Sequence, residues 1–203
     1  MLPPDARLEA VIAHPSGPVA LYDVSHLLPT KKGRPQPSRK AGAKIERCYV
    51  HKSGGEGRAG FAGLLGSARY VVAQRGFPGM PYTLWASTRP DADDEGRLVL
   101  YRGAADDRRT WHTGGDCNDH GIGLALQGNL SKRELTPSQR MVAEAALLYV
   151  LDSGRYPDLD SVAPVSTHSR AKRYGAKKDK SICPGLRAEV WLAWWLAERG
   201  IAL

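Results

Sequence analysis

The sequence predicts an α/β domain in which a mixed central sheet is flanked by helices. Three observations carry this expectation. Short runs with strand-like alternation are interspersed along the chain with longer segments at helical spacing. The length of 203 residues suits one domain able to bury a sizeable core. The composition, 42% hydrophobic and 25% charged, is close to the globular average and excludes disorder of the whole chain.

The elements follow in order. Leu8 to Ile12 and Val19 to Tyr22 are apolar patches between Pro and Gly, enough for one or two strands. Lys31 to Lys44, KKGRPQPSRKAGAK, holds six basic residues and no acidic one, and reads as a mobile basic linker. The compact domain is therefore expected over 46–203, with residues 1–45 as an extension. ERCYVH reads as a strand ending at His51, before the Gly-rich break HKSGGEG. From Arg58 to Gln74, Phe61, Leu64, Leu65, Ala68, Val71 and Val72 recur at helical spacing, and Gly76 closes the segment. Tyr82–Ala86 and Arg97–Arg102 alternate as strands around the acidic turn DADDEG, and Ile122–Gln127 reads as a buried strand.

Thr136–Ser153 carries the clearest helix signals. Thr136 is an N-cap, Pro137 suits the first helical position, and Gln139 completes a capping box. A last helix is expected over Leu186–Arg199, with Val190, Trp191, Trp194, Trp195 and Leu196 as a wide apolar face packed on the sheet.

Charge and cysteine content narrow the partners. Lys plus Arg outnumber Asp plus Glu by 29 to 21, a net charge of +8 that favours polyanions such as nucleic acid, anionic lipid or an acidic cell envelope. Nucleic acid is the least expected of these, because no recognition motif is present and aromatics are not interleaved with the basic runs. No run of about 18 apolar residues exists, so no membrane span is expected. The N-terminal stretch is broken by Pro and charge, and no secretory leader is expected. Three cysteines, an odd number, argue against a disulfide framework and fit synthesis in a reducing cytoplasm.

Three segments carry chemistry. His51 ends an apolar strand, His168 follows the β-branched run Val165-Ser166-Thr167, and Cys183 precedes the Pro184-Gly185 turn that opens a helix. Two imidazoles and one thiolate suit Zn²⁺, which favours nitrogen and sulfur and in catalytic sites keeps a fourth position open for water. Spacing alone leaves the bland alternative open, two unrelated surface histidines and a buried cysteine. Cys48 sits three residues before His51, so on a strand it faces the other way and belongs to the core. Cys117 reads as a thiol that is not a ligand.

The ordered segments YVHKSGG, GMPYTLW, WHTGGDCNDHGIGLALQGN, TPSQ, THS and SICPG resemble the zinc-dependent N-acetylmuramoyl-L-alanine amidases, the family that includes phage amidase lysozymes and peptidoglycan recognition proteins. The resemblance runs from about Arg47 to Leu196. It implies that fold, a Zn²⁺ cofactor, a peptidoglycan muropeptide partner, and hydrolysis of the amide between N-acetylmuramic acid and L-alanine. It places His51, His168 and Cys183 as metal ligands and Tyr82 beside the metal. It sets His112 and Asn118 at the substrate groove, and Lys180 or Ser181 at the oxyanion, with Lys180 preferred for its long stem. Ala125 stands where some branches carry a catalytic Glu, which brings the chain nearer the tyrosine-using branch. A non-catalytic peptidoglycan-binding module is the alternative, and such proteins typically lack the cysteine ligand. A monomer is expected, made in the cytoplasm like a compact endolysin and acting on the cell wall after release.

Overall fold

The computed structural model describes residues 1–55, 57–176 and 182–203. Its elements run β1 (Arg7–Ile12), β2 (Val19–Asp23), β3 (Arg47–Lys52), α1 (Gly60–Ala73), β4 (Leu84–Ala86), β5 (Leu98–Arg102), α2 (Cys117–His120), β6 (Gly121–Leu126), α3 (Pro137–Asp152), β7 (Val165–Thr167) and α4 (Leu186–Ala197). A 3₁₀ segment, His168–Tyr174, follows β7 directly. The strands form one seven-stranded mixed sheet in the order β1-β2-β5-β4-β6-β3-β7. The centre is parallel: β4 with β6, β6 with β3, and β3 with β7. The β1–β2 and β4–β5 pairs are antiparallel.

The strand pleat divides the side chains between two layers. Cys48 and Val50 of β3, with Ile122, Leu124 and Leu126 of β6, face α3 and α4 and form the larger core. Trp85, Val99, Tyr101 and Ala125 face the other way, onto Leu64 and Ala68 of α1. Cys48 is fully buried in the first layer, as the alternation requires, and His51 lies on the opposite face. No helix among the described residues is long and apolar enough to cross a membrane.

Thr136 caps α3, its Oγ1 accepting from the Gln139 N–H at 3.2 Å, worth about 1 kcal/mol. The return half of the capping box is not made. The Gln139 side chain donates instead to the carbonyls of Ala86 and Gln127, at 3.2 and 2.8 Å, and so ties α3 to the ends of β4 and β6. The apolar face of α4 is narrower than the sequence implies. Trp191, Trp195 and Leu196 are buried, but Val190 and Trp194 join Leu186 as a stripe turned to solvent.

Two further expectations are corrected at the N-terminal end. The sheet runs through the expected boundary at residue 45, because β1 and β2 form its edge and Ile12, Val19 and Leu21 belong to the main core. The segment read as a mobile linker is fastened to the body. Arg39 donates to the carbonyls of Asp106, Asn118 and Asp119, and Gln36 donates to the carbonyl of Met80 at 3.0 Å. Those carbonyls close the loops after β5 and before β6, and the guanidinium replaces water as their partner.

Candidate metal centre

His51 is next to last in β3 and His168 follows the last residue of β7. Since β3 and β7 are parallel neighbours, both imidazoles emerge at the carboxyl ends of adjacent strands, where open α/β sheets place their ligands. The rings lie 4.9 Å apart between centroids. Cys183 arrives from the turn that opens α4. Gly185 makes this approach possible: it has φ +103°, and a Cβ there would come within 2.7 Å of the Leu130 backbone.

One donor atom from each of His51, His168 and Cys183 lies within 4.8 Å of the others. Cys183 Sγ is 3.8 Å from His51 Nδ1 and accepts the Lys52 backbone N–H at 3.1 Å. The three residues called from the sequence are therefore brought together. The donor set, two nitrogens and a sulfur with separations a single small cation can bridge, fits zinc. Burial pushes the Cys183 thiol up to about 11, opposed by the Lys52 N–H. Burial, reinforced by His112 and His168, holds the His51 imidazole well below the ordinary histidine range, and so neutral. A neutral imidazole is the form that ligates a metal.

Tyr82 stands over His51 with ring centroids 5.2 Å apart. Burial, and then the proximity of Cys183, raises its phenol above the usual tyrosine range, so the hydroxyl keeps its proton at neutral pH. His112 is buried behind His51, their rings edge to face. Burial lowers it to about 3. Ala125 is the register partner of His51 on β6, so no carboxylate is present at that place.

Tyr82, His112, His168 and Cys183 line a cleft of about 760 Å³, within the usual range for ligand sites, and His51 is buried against them. Tyr70, Phe77, Met80 and Trp111 give it an apolar wall, and Lys52, Arg58 and Arg75 are its cations. No Asp or Glu lines it among the described residues. Sequence reasoning did not single out these cations; they come from three separate segments and carry no motif.

Asn118 is placed differently from the sequence expectation. It does not line the cleft. Its Oδ1 accepts the N–H groups of Thr113 and Gly114, at 3.0 and 2.9 Å, and shapes the loop after His112. An Asn oxygen saturated by backbone in a buried turn is a structural group. Cys117 is likewise no part of the cluster. It meets the Tyr49 hydroxyl and the Tyr174 carbonyl, in a small pocket of its own. Lys180 and Ser181 lie outside the described residues.

Solved structures with this fold are peptidoglycan amidases and peptidoglycan recognition proteins. The amidase LysC from Clostridium intestinale URNW superposes with a TM-score of 0.62 at 15% identity, over 90% of this chain and 98% of that one. A variant of Drosophila PGRP-LB in complex with tracheal cytotoxin gives 0.61 at 15% identity, over 86% and 94%. The Ph2119 endolysin from the Thermus scotoductus MAT2119 bacteriophage gives 0.57 at 15% identity, over 86% and 97%. No significant sequence match to a curated protein was found. The profile of the N-acetylmuramoyl-L-alanine amidase family matches residues 41–186, most of the chain, and the chain belongs to that family.

Proposed function

We propose that this protein is a zinc-dependent peptidoglycan hydrolase that cuts the amide between N-acetylmuramic acid and L-alanine, acting on the cell wall after release from the cytoplasm. The observation that carries the reading is the convergence of donor atoms from His51, His168 and Cys183 within 4.8 Å, at a cleft that His168 and Cys183 line. These three residues would hold the ion. When bound, zinc polarises a carbonyl and lowers the pKa of water toward about 7, which an unreactive amide needs.

The remaining chemistry belongs to the chain. Tyr82, protonated and beside His51, supplies a hydrogen-bond donor for the oxygen on which charge develops. Lys180, or Ser181 next to it, is the proposed second partner of that oxygen. The apolar wall excludes water along one side of the cleft, which strengthens each of these interactions. Lys52, Arg58 and Arg75 suit a peptide that carries carboxylates, as peptidoglycan stem peptides do.

The test uses purified sacculi. The protein is expected to release new L-alanine N-termini, to stop doing so with a chelator, and to recover with added zinc. Cys183→Ala should neither hold zinc nor release product. Release that survives both chelation and Cys183→Ala would overturn the zinc mechanism. Binding to sacculi without release under any metal condition would assign the chain to the non-catalytic recognition modules instead.

A further inference from the structure

We propose that His112 is a positioning residue: it fixes His51 in the Nε2–H tautomer, so that the bare Nδ1 of His51 faces the sulfur of Cys183. This rests on the metal reading of the cluster for its purpose, but not for its geometry.

The argument starts at a backbone carbonyl. His112 Nε2 lies 3.3 Å from the Gly121 oxygen. A carbonyl oxygen only accepts, so Nε2 carries the hydrogen. His112 is 6% exposed, and an imidazole so buried without a facing carboxylate is neutral, with one N–H. Its Nδ1 is therefore a bare acceptor. That atom lies 3.2 Å from His51 Nε2, which must then donate. A neutral His51 that donates from Nε2 has its lone pair on Nδ1, the atom 3.8 Å from Cys183 Sγ. The opposite tautomer would set two lone pairs against each other between the rings. It would also put an N–H where a cation has to approach. Ligating histidines commonly give their second nitrogen to such a partner.

The seat of His112 is specific. A Cβ on Gly123 would come 3.1 Å from the Cβ and Cγ of His112, so the second glycine of Gly121-Ile122-Gly123 makes room for this ring. The first supplies the carbonyl. Tyr49 supports the ring from another side, with centroids 5.6 Å apart. The order carbonyl, His112, His51, cluster is thus anchored on β6 and ends on β3.

The experiment is ¹⁵N NMR of the imidazoles in the metal-free full chain, followed by zinc affinity from chelator competition. Wild type is expected to show His51 protonated on Nε2. His112→Phe, which keeps the bulk and removes the acceptor, should shift His51 toward the other tautomer and weaken zinc binding about 10–100-fold. His112→Asn, whose amide oxygen can stand in for Nδ1, should restore the tautomer and most of the affinity. A wild-type His51 protonated on Nδ1 overturns the proposal. So does a His112→Phe variant that loses zinc while its His51 tautomer stays unchanged, since that describes a merely structural side chain. If His112→Phe fails to fold, wild type and His112→Asn still decide it. A wild type with the expected tautomer and no zinc affinity supports the relay and retires the metal reading, so the two fail separately.

Discussion

Two buried polar clusters sit on opposite faces of the sheet, and they are built on opposite principles. On the α3 face, Arg102 is 2% exposed and meets Glu9 at 2.9 Å, Asp106 at 2.6 Å and the Tyr149 hydroxyl at 3.2 Å. Every charge there has a counter-charge, and the cluster stitches edge strand β1 to β5 and α3. On the α1 face, His51 and Cys183 are also buried, yet they are neutral groups, and one donor atom from each lies within 4.8 Å of the other and of one from His168. The first cluster is electrostatically complete and holds the fold. The second is the set of donors that, on the proposed function, would hold a cation. Burial therefore does not distinguish structure from function here, whereas the balance of charge does.

Breaking the complete cluster should cost stability alone. Arg102→Ala removes the buried counter-charge of Glu9 and Asp106, leaving them only the more exposed Arg155, and should destabilise the chain by about 3 kcal/mol, read from urea unfolding. Zinc stoichiometry of the folded fraction should be unchanged. Breaking the open cluster should do the reverse. Tyr82→Phe keeps the ring and removes the donor, so kcat on muropeptide should fall about 100–1000-fold with zinc content and unfolding midpoint unaltered. If Tyr82→Phe unfolds as readily as Arg102→Ala, the contrast between the clusters collapses.

A smaller, graded effect follows from pH. With the Cys183 thiol pushed up to about 11, the metal-free protein holds that proton at neutral pH, and binding a cation must release it. Affinity should rise about tenfold per pH unit between roughly 7 and 9, since one proton leaves. His51 is already neutral there and adds no further slope. Chelator competition across that range measures it, and a flat profile would show that the sulfur is not a ligand.

Much of this was legible in the sequence, where periodicity and punctuation act locally. β3, α1, β5, β6, α3 and α4 fall within a few residues of their patterns. His51, His168 and Cys183 were legible through motif order, and their meeting follows from the parallel pairing of β3 with β7. What escaped depends on partners far along the chain. Arg39 is a linker residue by composition, yet three carbonyls more than sixty positions away fasten it. Gln139 has a local capping role available and takes a tertiary one. Asn118 has the chemistry of a groove residue, but backbone N–H groups within five positions occupy its oxygen first. His112 shows its part only when the Gly121 carbonyl is seen beside it.

The parallel β3–β7 pair also bears on how the chain matures. Parallel neighbours so distant in sequence carry a large loop-closure entropy, and such contacts form slowly. The three donors have no common location until that closure is made. Metal uptake during refolding would therefore report that closure rather than early collapse. Zinc supplied to the nascent chain would act as a latch on the finished sheet, stabilising it by mass action against reopening.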